Sequence, residues 1–389
     1  MQGSVRKKGS KWYYSFEVSE VDGKRKRIER SGGNTKKEAL EALNDAMYKY
    51  NNGYVEPKKL TFDEYITDWL ENFIKENRKI NTYERYKELY KNNIKPHLGN
   101  ILLKDLKAIH IENALQSEKK KKLKNDKNLS NSTLQAIYGV INSSLNRAVR
   151  LQVINDNMCK FVERPKRDKF TANTLTIEEF NLLLNKLDKD SYGDYMFHLA
   201  LLTVLELGLR RGELAGLEWD DIDFENNVIK IKNNLIYTNN NVLLGTPKTE
   251  ESKRSIYISN DLLERLKKHK IVQSTNKLKY GNLYEENMFN DEKKNFIFTW
   301  ESGKYVHPNY FTLKFSRLIK DLNINKKVRF HDIRHTNATL LLQQGIDFKV
   351  IQSRLGHSDI STTLNIYSHV STDMQKSATE KLSSLITYY

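Results

Sequence analysis

Four separated stretches in the second half of the chain carry residue types that could act together on a phosphate. A phosphodiester is an anion and a poor electrophile. Attack by an oxygen adds negative charge, which fixed cationic donors stabilise. The first stretch is Gly208-Leu209-Arg210-Arg211-Gly212-Glu213-Leu214. It ends one apolar helix and starts another, and Glu213 stands three residues from Arg210, close enough to orient it. The local pattern allows Arg210 or Arg211 equally, and it also fits a surface arginine pair. The second stretch is Thr246-Pro247-Lys248-Thr249, with a lysine in a turn between strands. Most such lysines are only solvated.

The third stretch is Phe330-His331-Asp332-Ile333-Arg334-His335-Thr336. His331 and Arg334, three apart, share a helix face, and Ala338, Leu340, Leu341 and Leu342 supply the buried side. Asp332 and His335 orient neighbours or face water. Zinc is a poor reading, since there is no His-Glu-x-x-His, no cysteine set and no third ligand. The fourth stretch is Leu355-Gly356-His357-Ser358-Asp359, followed by Thr362-Thr363-Leu364-Asn365-Ile366-Tyr367-Ser368-His369. A histidine at a glycine break precedes a helix that carries a tyrosine. The chain has 21 tyrosines, so Tyr367 alone is an ordinary half-buried aromatic.

The 389 residues carry a formal net charge of +16, which favours an acidic partner, either nucleic acid or an anionic membrane surface. The single cysteine, Cys159, excludes an intrachain disulfide and a cysteine-based zinc site, and reads as structural. The start lacks the apolar core of a secretory signal. The longest apolar run, Met196 to Leu205, contains His198 and is followed by Glu206, too short to span a membrane. A cytoplasmic protein without membrane contact is the expectation.

Three segments must position these residues. Residues 1–55 predict a small sheet plus a helix. Lys11 to Val18 is one strand, Asp22-Gly23 a hairpin turn and Lys24 to Arg30 the return strand. A helix over Thr35 to Tyr50 follows, with Leu40, Leu43 and Met47 on its apolar stripe. Strand alternation allows a basic face beside aromatics, so Lys11, Tyr14, Lys24, Lys26 and Arg27 are candidate DNA contacts, with a solvated accessory face as the plain alternative. Residues 60–162 predict a helical domain. Thr61-Phe62-Asp63-Glu64 is a capping box with Leu60 and Tyr65 as its staple, and Ser132-Thr133-Leu134-Gln135 is a second box. The run from Glu118 to Lys127 reads as a solvated loop or frayed helix end, where Lys119 and Lys121 would meet phosphates without sequence preference. Residues 172–389 open on a third capping box, Thr176-Ile177-Glu178-Glu179, stapled by Leu175 and Phe180. Helices follow, with strands at Val228 to Ile231 and Arg254 to Ile258. The fold class is multidomain α+β.

Arg210 with Glu213, Lys248, His331-x-x-Arg334, Gly356-His357 and Tyr367, in this order, resemble the tyrosine recombinase family, the phage-type integrases. The resemblance covers the whole chain. Residues 1–55 look like the sheet-plus-helix arm-binding domain of conjugative-transposon and phage integrases, 60–162 like the helical core-binding domain and 172–389 like the mainly helical catalytic domain with its small antiparallel sheet. Leu207 stands where the family often has threonine, at a position that is not catalytic.

The resemblance selects Arg210 over Arg211. It implies that Arg210 and Arg334 hold the phosphate, His331 and His357 add hydrogen bonds and help move protons, Lys248 protonates the leaving oxygen, Tyr367 attacks and Glu213 organises. It further implies a homotetramer on core and arm attachment sites, a Holliday junction intermediate, an accessory excision factor and a host DNA-bending protein as partners, and neither metal nor cofactor. A type IB topoisomerase uses similar chemistry, but the arm-like segment argues against it. A nonenzymatic or inactive DNA-binding relative would explain the charge and leave the ordered set unexplained.

Overall fold

The computed structural model describes residues 3–19, 25–51, 60–122, 126, 128–168, 173–188, 190–238, 241–245, 253–356, 379–380 and 383. The Asp22-Gly23 turn falls outside them. Strands β1 (Gly3–Lys8), β2 (Lys11–Ser19) and β3 (Arg25–Gly33) form an antiparallel sheet in that order, packed against α1 (Lys36–Asn51). Alternation along β2 turns Tyr14 and Phe16 inward, with Ile28 opposite Phe16 and Leu43 of α1 closing the cluster. Tyr14 is therefore a core residue and not the exposed DNA contact expected of it. Leu40 is also corrected: it is 41% exposed, because α1 turns Ala39 and Leu43, four residues apart, towards the sheet. The polar strand β1 carries no hydrophobic alternation that would announce it in the sequence.

The helical part comprises α2 (Phe62–Asp68), α3 (Lys75–Asn77), α4 (Ile80–Leu89), α5 (Lys95–Leu98), α6 (Ala108–Lys120) and α7 (Asn131–Arg150). π-Helical turns at Trp69–Ile74 and Tyr90–Ile94 join α2 to α3 and α4 to α5. Thr61 caps α2 as expected: its Oγ1 accepts from the Glu64 amide at 3.2 Å and its own amide donates to Glu64 Oε2 at 2.8 Å. The cap of α7 is Ser130, not Ser132. Ser130 Oγ accepts from the Thr133 amide at 3.2 Å, while Gln135 Nε2 donates to the Pro165 carbonyl at 2.8 Å. Cys159 is fully buried in this helical core, and burial pushes its thiol up to about 12, as a structural cysteine requires. These elements belong to one compact unit, Met1–Asp168; Lys169–Tyr389 form the second.

The second unit contains α8 (Ile177–Asn185), α9 (Tyr192–Leu207), α10 (Arg211–Ala215), β4 (Ile222–Asp223), β5 (Val228–Ile231), β6 (Asn234–Thr238), β7 (Asn241–Gly245), β8 (Arg254–Tyr257), α11 (Asn260–Tyr280), β9 (Asn287–Phe289), β10 (Glu292–Lys294), α12 (Pro308–Asp321), α13 (Asp332–Gln343) and α14 (Phe348–Leu355). Strands β4, β5 and β8 form one antiparallel sheet, and β6 pairs with β7 in a hairpin that the sequence pattern does not separate. Thr176 caps α8 with its capping box. Helix α9 is apolar on most faces and is buried through Met196, Phe197, Ala200, Leu201 and Val204, in one cluster with Phe311 and Phe315 of α12. Among the described residues no helix is long and apolar enough to cross a membrane.

Candidate active site

Helix α9 ends on Gly208, which is left-handed at φ 62°. A Cβ there would lie 2.4 Å from Leu355 Cδ2 and 2.9 Å from Asn337 Oδ1, so backbone and packing both require glycine. Gly208→Ala is expected to lower stability by about 3 kcal/mol, from left-handed strain plus overpacking. Calorimetric melting of the full chain checks this, and an unchanged transition would contradict it.

The turn places Arg210 at the start of α10. Its amide donates to Glu213 Oε2 at 2.9 Å, its Nη1 to Glu213 Oε1 at 2.6 Å and its Nη2 to the Gly356 carbonyl at 3.0 Å. Arg211 turns away, and its Nη1 donates to Thr312 Oγ1 of α12 at 3.0 Å. The two arginines, indistinguishable by local pattern, thus have separate partners. Arg334, in the first turn of α13, is 1% exposed. Its Nη1 donates to the Gly208 carbonyl at 2.6 Å and its Nη2 to the Leu355 carbonyl.

Arg254 of β8 joins them, a residue the sequence motifs do not single out. Its Nη2 donates to Glu213 Oε2 at 2.9 Å and its Nε to the Arg354 carbonyl at 2.7 Å. The available signal is its alternation with Ile256, a buried residue on the same face of the strand. Three successive carbonyls at the end of α14, those of Arg354, Leu355 and Gly356, therefore accept from Arg254, Arg334 and Arg210 respectively. A helix C-terminus carries partial negative charge, which suits this gathering of cations.

Glu213, 2% exposed, is the carboxylate in the middle. Burial alone would raise its pKa. Arg254 foremost, then Arg210 and Arg334, outweigh burial and hold it at about 2. Because the folded pKa lies below the ordinary value of 4.5, the stabilisation is complete above pH 4.5 and fades as pH falls through about 2. Glu213→Gln is expected to cost about 3 kcal/mol at neutral pH, with the deficit shrinking on acidification. Chemical denaturation of both chains at neutral and acid pH measures it; a deficit independent of pH would refute the charge assignment.

His331 immediately precedes α13, and its ring stands edge-on to His335 with centroids 5.2 Å apart. The surrounding protein, then the charges of His335, Arg334 and Arg210, lowers its pKa, which favours the neutral imidazole. The ring still keeps exposed surface, which moderates the desolvation. Asp332 is buried and orients Arg329, accepting from its amide and Nη2 at 2.8 Å each and its Nε at 3.1 Å. The structure thus brings together Arg210, Glu213 and Arg334, with His331 within reach of their charge. Lys248, His357 and Tyr367 lie outside the described residues.

Of the expected DNA contacts, Lys11 and Arg27 are exposed, and Arg27 Nη2 donates to Ser15 Oγ at 3.1 Å. Lys26 sits opposite Val18 in the sheet, its side chain outside the described set, as is the whole of Lys24. Lys119 is exposed. Lys121 is exposed but tied back to Glu118 Oε1 at 3.3 Å and the Asn92 carbonyl at 3.4 Å. Glu118 itself is buried and also accepts from Asn93 Nδ2 at 2.5 Å, so the lysine-rich run starts from an anchored residue and not a frayed end.

Three family profiles match the chain: an arm DNA-binding domain over residues 4–49, a phage integrase N-terminal SAM-like domain over 61–119 and the phage integrase family over 173–374. A tyrosine recombinase XerC-like protein of Caldanaerobacter subterraneus subsp. tengcongensis is 30% identical over 397 aligned positions, covering 97% of each chain. The ICEBs1 integrase of Bacillus subtilis is 27% identical, covering 96% of each. The integrase of Staphylococcus phage L54a is 28% identical over 86% of this chain and 96% of its own. Among solved structures, the Tn1549 transposon integrase in complex with a circular intermediate DNA superposes with a TM-score of 0.67 at 23% identity, covering 83% of this chain and 99% of its own. A lambda integrase tetramer bound to a Holliday junction gives a TM-score of 0.58 at 17% identity, covering 92% and 96%. The chain belongs to the phage integrase family of tyrosine recombinases, enzymes that cut and rejoin DNA through a covalent phosphotyrosine.

Proposed function

We propose that this recombinase integrates and excises a mobile element, with Tyr367 as nucleophile and Arg210 and Arg334 as the phosphate-binding pair. The observation that supports this most is the convergence of both guanidiniums on the Leu355-Gly356 turn, one residue before His357. The Tyr367 oxygen attacks phosphorus, and the bond from phosphorus to the 5′-oxygen breaks. The phenol proton leaves with the help of His331 and His357, and Lys248 gives a proton to the departing oxygen. The products are a 3′-phosphotyrosine and a free 5′-hydroxyl. A 5′-hydroxyl from another strand then attacks the phosphotyrosine, releases Tyr367 and seals the DNA. The phosphoester is conserved throughout, so ATP is not consumed.

Four protomers on two DNA sites would exchange strands in pairs through a Holliday junction. Residues 60–162 and 172–389 would clamp the core site and residues 1–55 would bind arm sites. Lys11 and Arg27 are the arm contacts retained in this reading, with Lys24 and Lys26 beside them in sequence. Lys119 and Lys121 serve phosphates of the core site. An excision factor and a host DNA-bending protein are the expected partners in solution.

The experiment is covalent capture. Duplexes nicked at scattered positions in a random-sequence pool are incubated with the full chain, and those retained after denaturation are recovered. Peptide mapping of the adduct is expected to place the DNA on Tyr367. Tight binding with no adduct on any duplex would favour a binding protein instead.

A further inference from the structure

We propose that Arg254 is a positioning residue of the cleavage centre: its guanidinium ties the Glu213 carboxylate to the backbone at the end of α14 and so fixes where Arg210 and Arg334 present their charge. The inference rests on the reading of those two arginines as phosphate ligands. The Arg254 side chain is 5% exposed and spans Glu213 and the Arg354 carbonyl, and the proposed action is through these neighbours.

Its planar fork bridges two elements that are far apart in sequence. One arm reaches Glu213 of α10 at 2.9 Å and the other the Arg354 carbonyl of α14 at 2.7 Å. Glu213 uses Oε1 for the Arg210 guanidinium and Oε2 for both the Arg210 amide and Arg254. Arg254 therefore restrains the carboxylate through the oxygen that the Arg210 guanidinium does not use. Without it, Glu213 can swing to take the Arg210 guanidinium through both oxygens, the geometry that a carboxylate and a guanidinium prefer. The Arg210 side chain, 35% exposed and otherwise shared between Glu213 and Gly356, would then be drawn off the open side of the site. The Arg354 carbonyl would lose the Arg254 donor while the two following carbonyls still hold Arg334 and Arg210, so the turn leading into His357 would lose one of three restraints. A lysine at 254 reaches either Glu213 or the Arg354 carbonyl but cannot span both with a rigid plane.

The test uses the full chain and a nicked duplex obtained by covalent capture with the unmodified protein. Arg254→Met and Arg254→Lys are compared for DNA affinity, melting and single-turnover adduct formation at saturating protein. That rate per bound complex is unmoved by a purely structural loss of stability below the melting transition. The expected result for Arg254→Met is unchanged affinity and adduct formation slowed about 100-fold, the penalty for reacting groups displaced by about 1 Å. If the methionine chain does not fold, Arg254→Lys decides, with adduct formation expected about 10-fold slower because the tie to Glu213 or to the Arg354 carbonyl is lost. A folded variant of either kind that cleaves at the unmodified rate overturns the role of Arg254 alone. Absence of any adduct with the unmodified chain overturns the reading of the site on which that role depends.

Discussion

Tyr367→Phe is expected to abolish the denaturation-resistant protein–DNA adduct while leaving DNA affinity unchanged. Phenylalanine keeps the ring and removes the oxygen, so any packing contribution survives and the phosphorus–oxygen bond cannot form. The comparison also separates Tyr367 from the rest of the 21 tyrosines. Several of those are poor nucleophiles for a stated reason. Burial raises the phenol pKa of Tyr65, Tyr90 and Tyr192, which keeps their protons in place. A phenol with the ordinary pKa of about 10 is itself mostly protonated at neutral pH, so a working nucleophile needs neighbours that take its proton and hold it in line. Adduct formation by the phenylalanine chain at the unmodified rate would move the nucleophile elsewhere.

Arg334→Lys is expected to slow cleavage by about 1000-fold, the upper range for removing one fixed donor from a developing charge. The arginine grips the Gly208 carbonyl at the end of α9 and the Leu355 carbonyl at the end of α14 with two different nitrogens. A lysine keeps the charge, yet its compact ammonium cannot hold both carbonyls in one plane. Arg334→Ala adds a stability penalty of about 1–3 kcal/mol for each buried carbonyl left without a donor. Single-turnover cleavage and melting, measured on both variants, separate the two effects. A lysine variant that cleaves normally would mean that charge alone suffices and that the fork geometry has no role.

What the sequence discloses here depends on how local each determinant is. The boxes at Thr61 and Thr176 are legible because cap and partner lie three residues apart. The cap of α7 is not, because Ser130 and Ser132 are both competent, and the choice is settled where Ser130 meets the Thr133 amide and Gln135 is drawn to Pro165. Arg210 and Arg211 look alike along the chain and diverge only because α12 offers Thr312 to one and the end of α14 offers Gly356 to the other. Arg254 shows in the sequence only as an alternation with Ile256, and its role does not, for the same reason: its partners lie 41 and 100 residues away. Tyr14 misleads because an aromatic in a strand beside basic residues fits either face, and only α1 decides which face is covered.

The carbonyl ladder at the end of α14 has a consequence for how the enzyme meets its charged substrate. Three guanidiniums brought together would ordinarily repel, and a polyanion would have to gather them at each encounter. Here the peptide dipoles of α14 and one buried carboxylate act as a resident counterion, so on the proposed assignment of the site the cations are already assembled before DNA arrives. In the proposed reading, mobile salt would compete with the surface lysines and arginines that first attract the duplex. It has little access to the buried Glu213–Arg254 pair, so ionic strength governs docking far more than it disturbs the reacting centre.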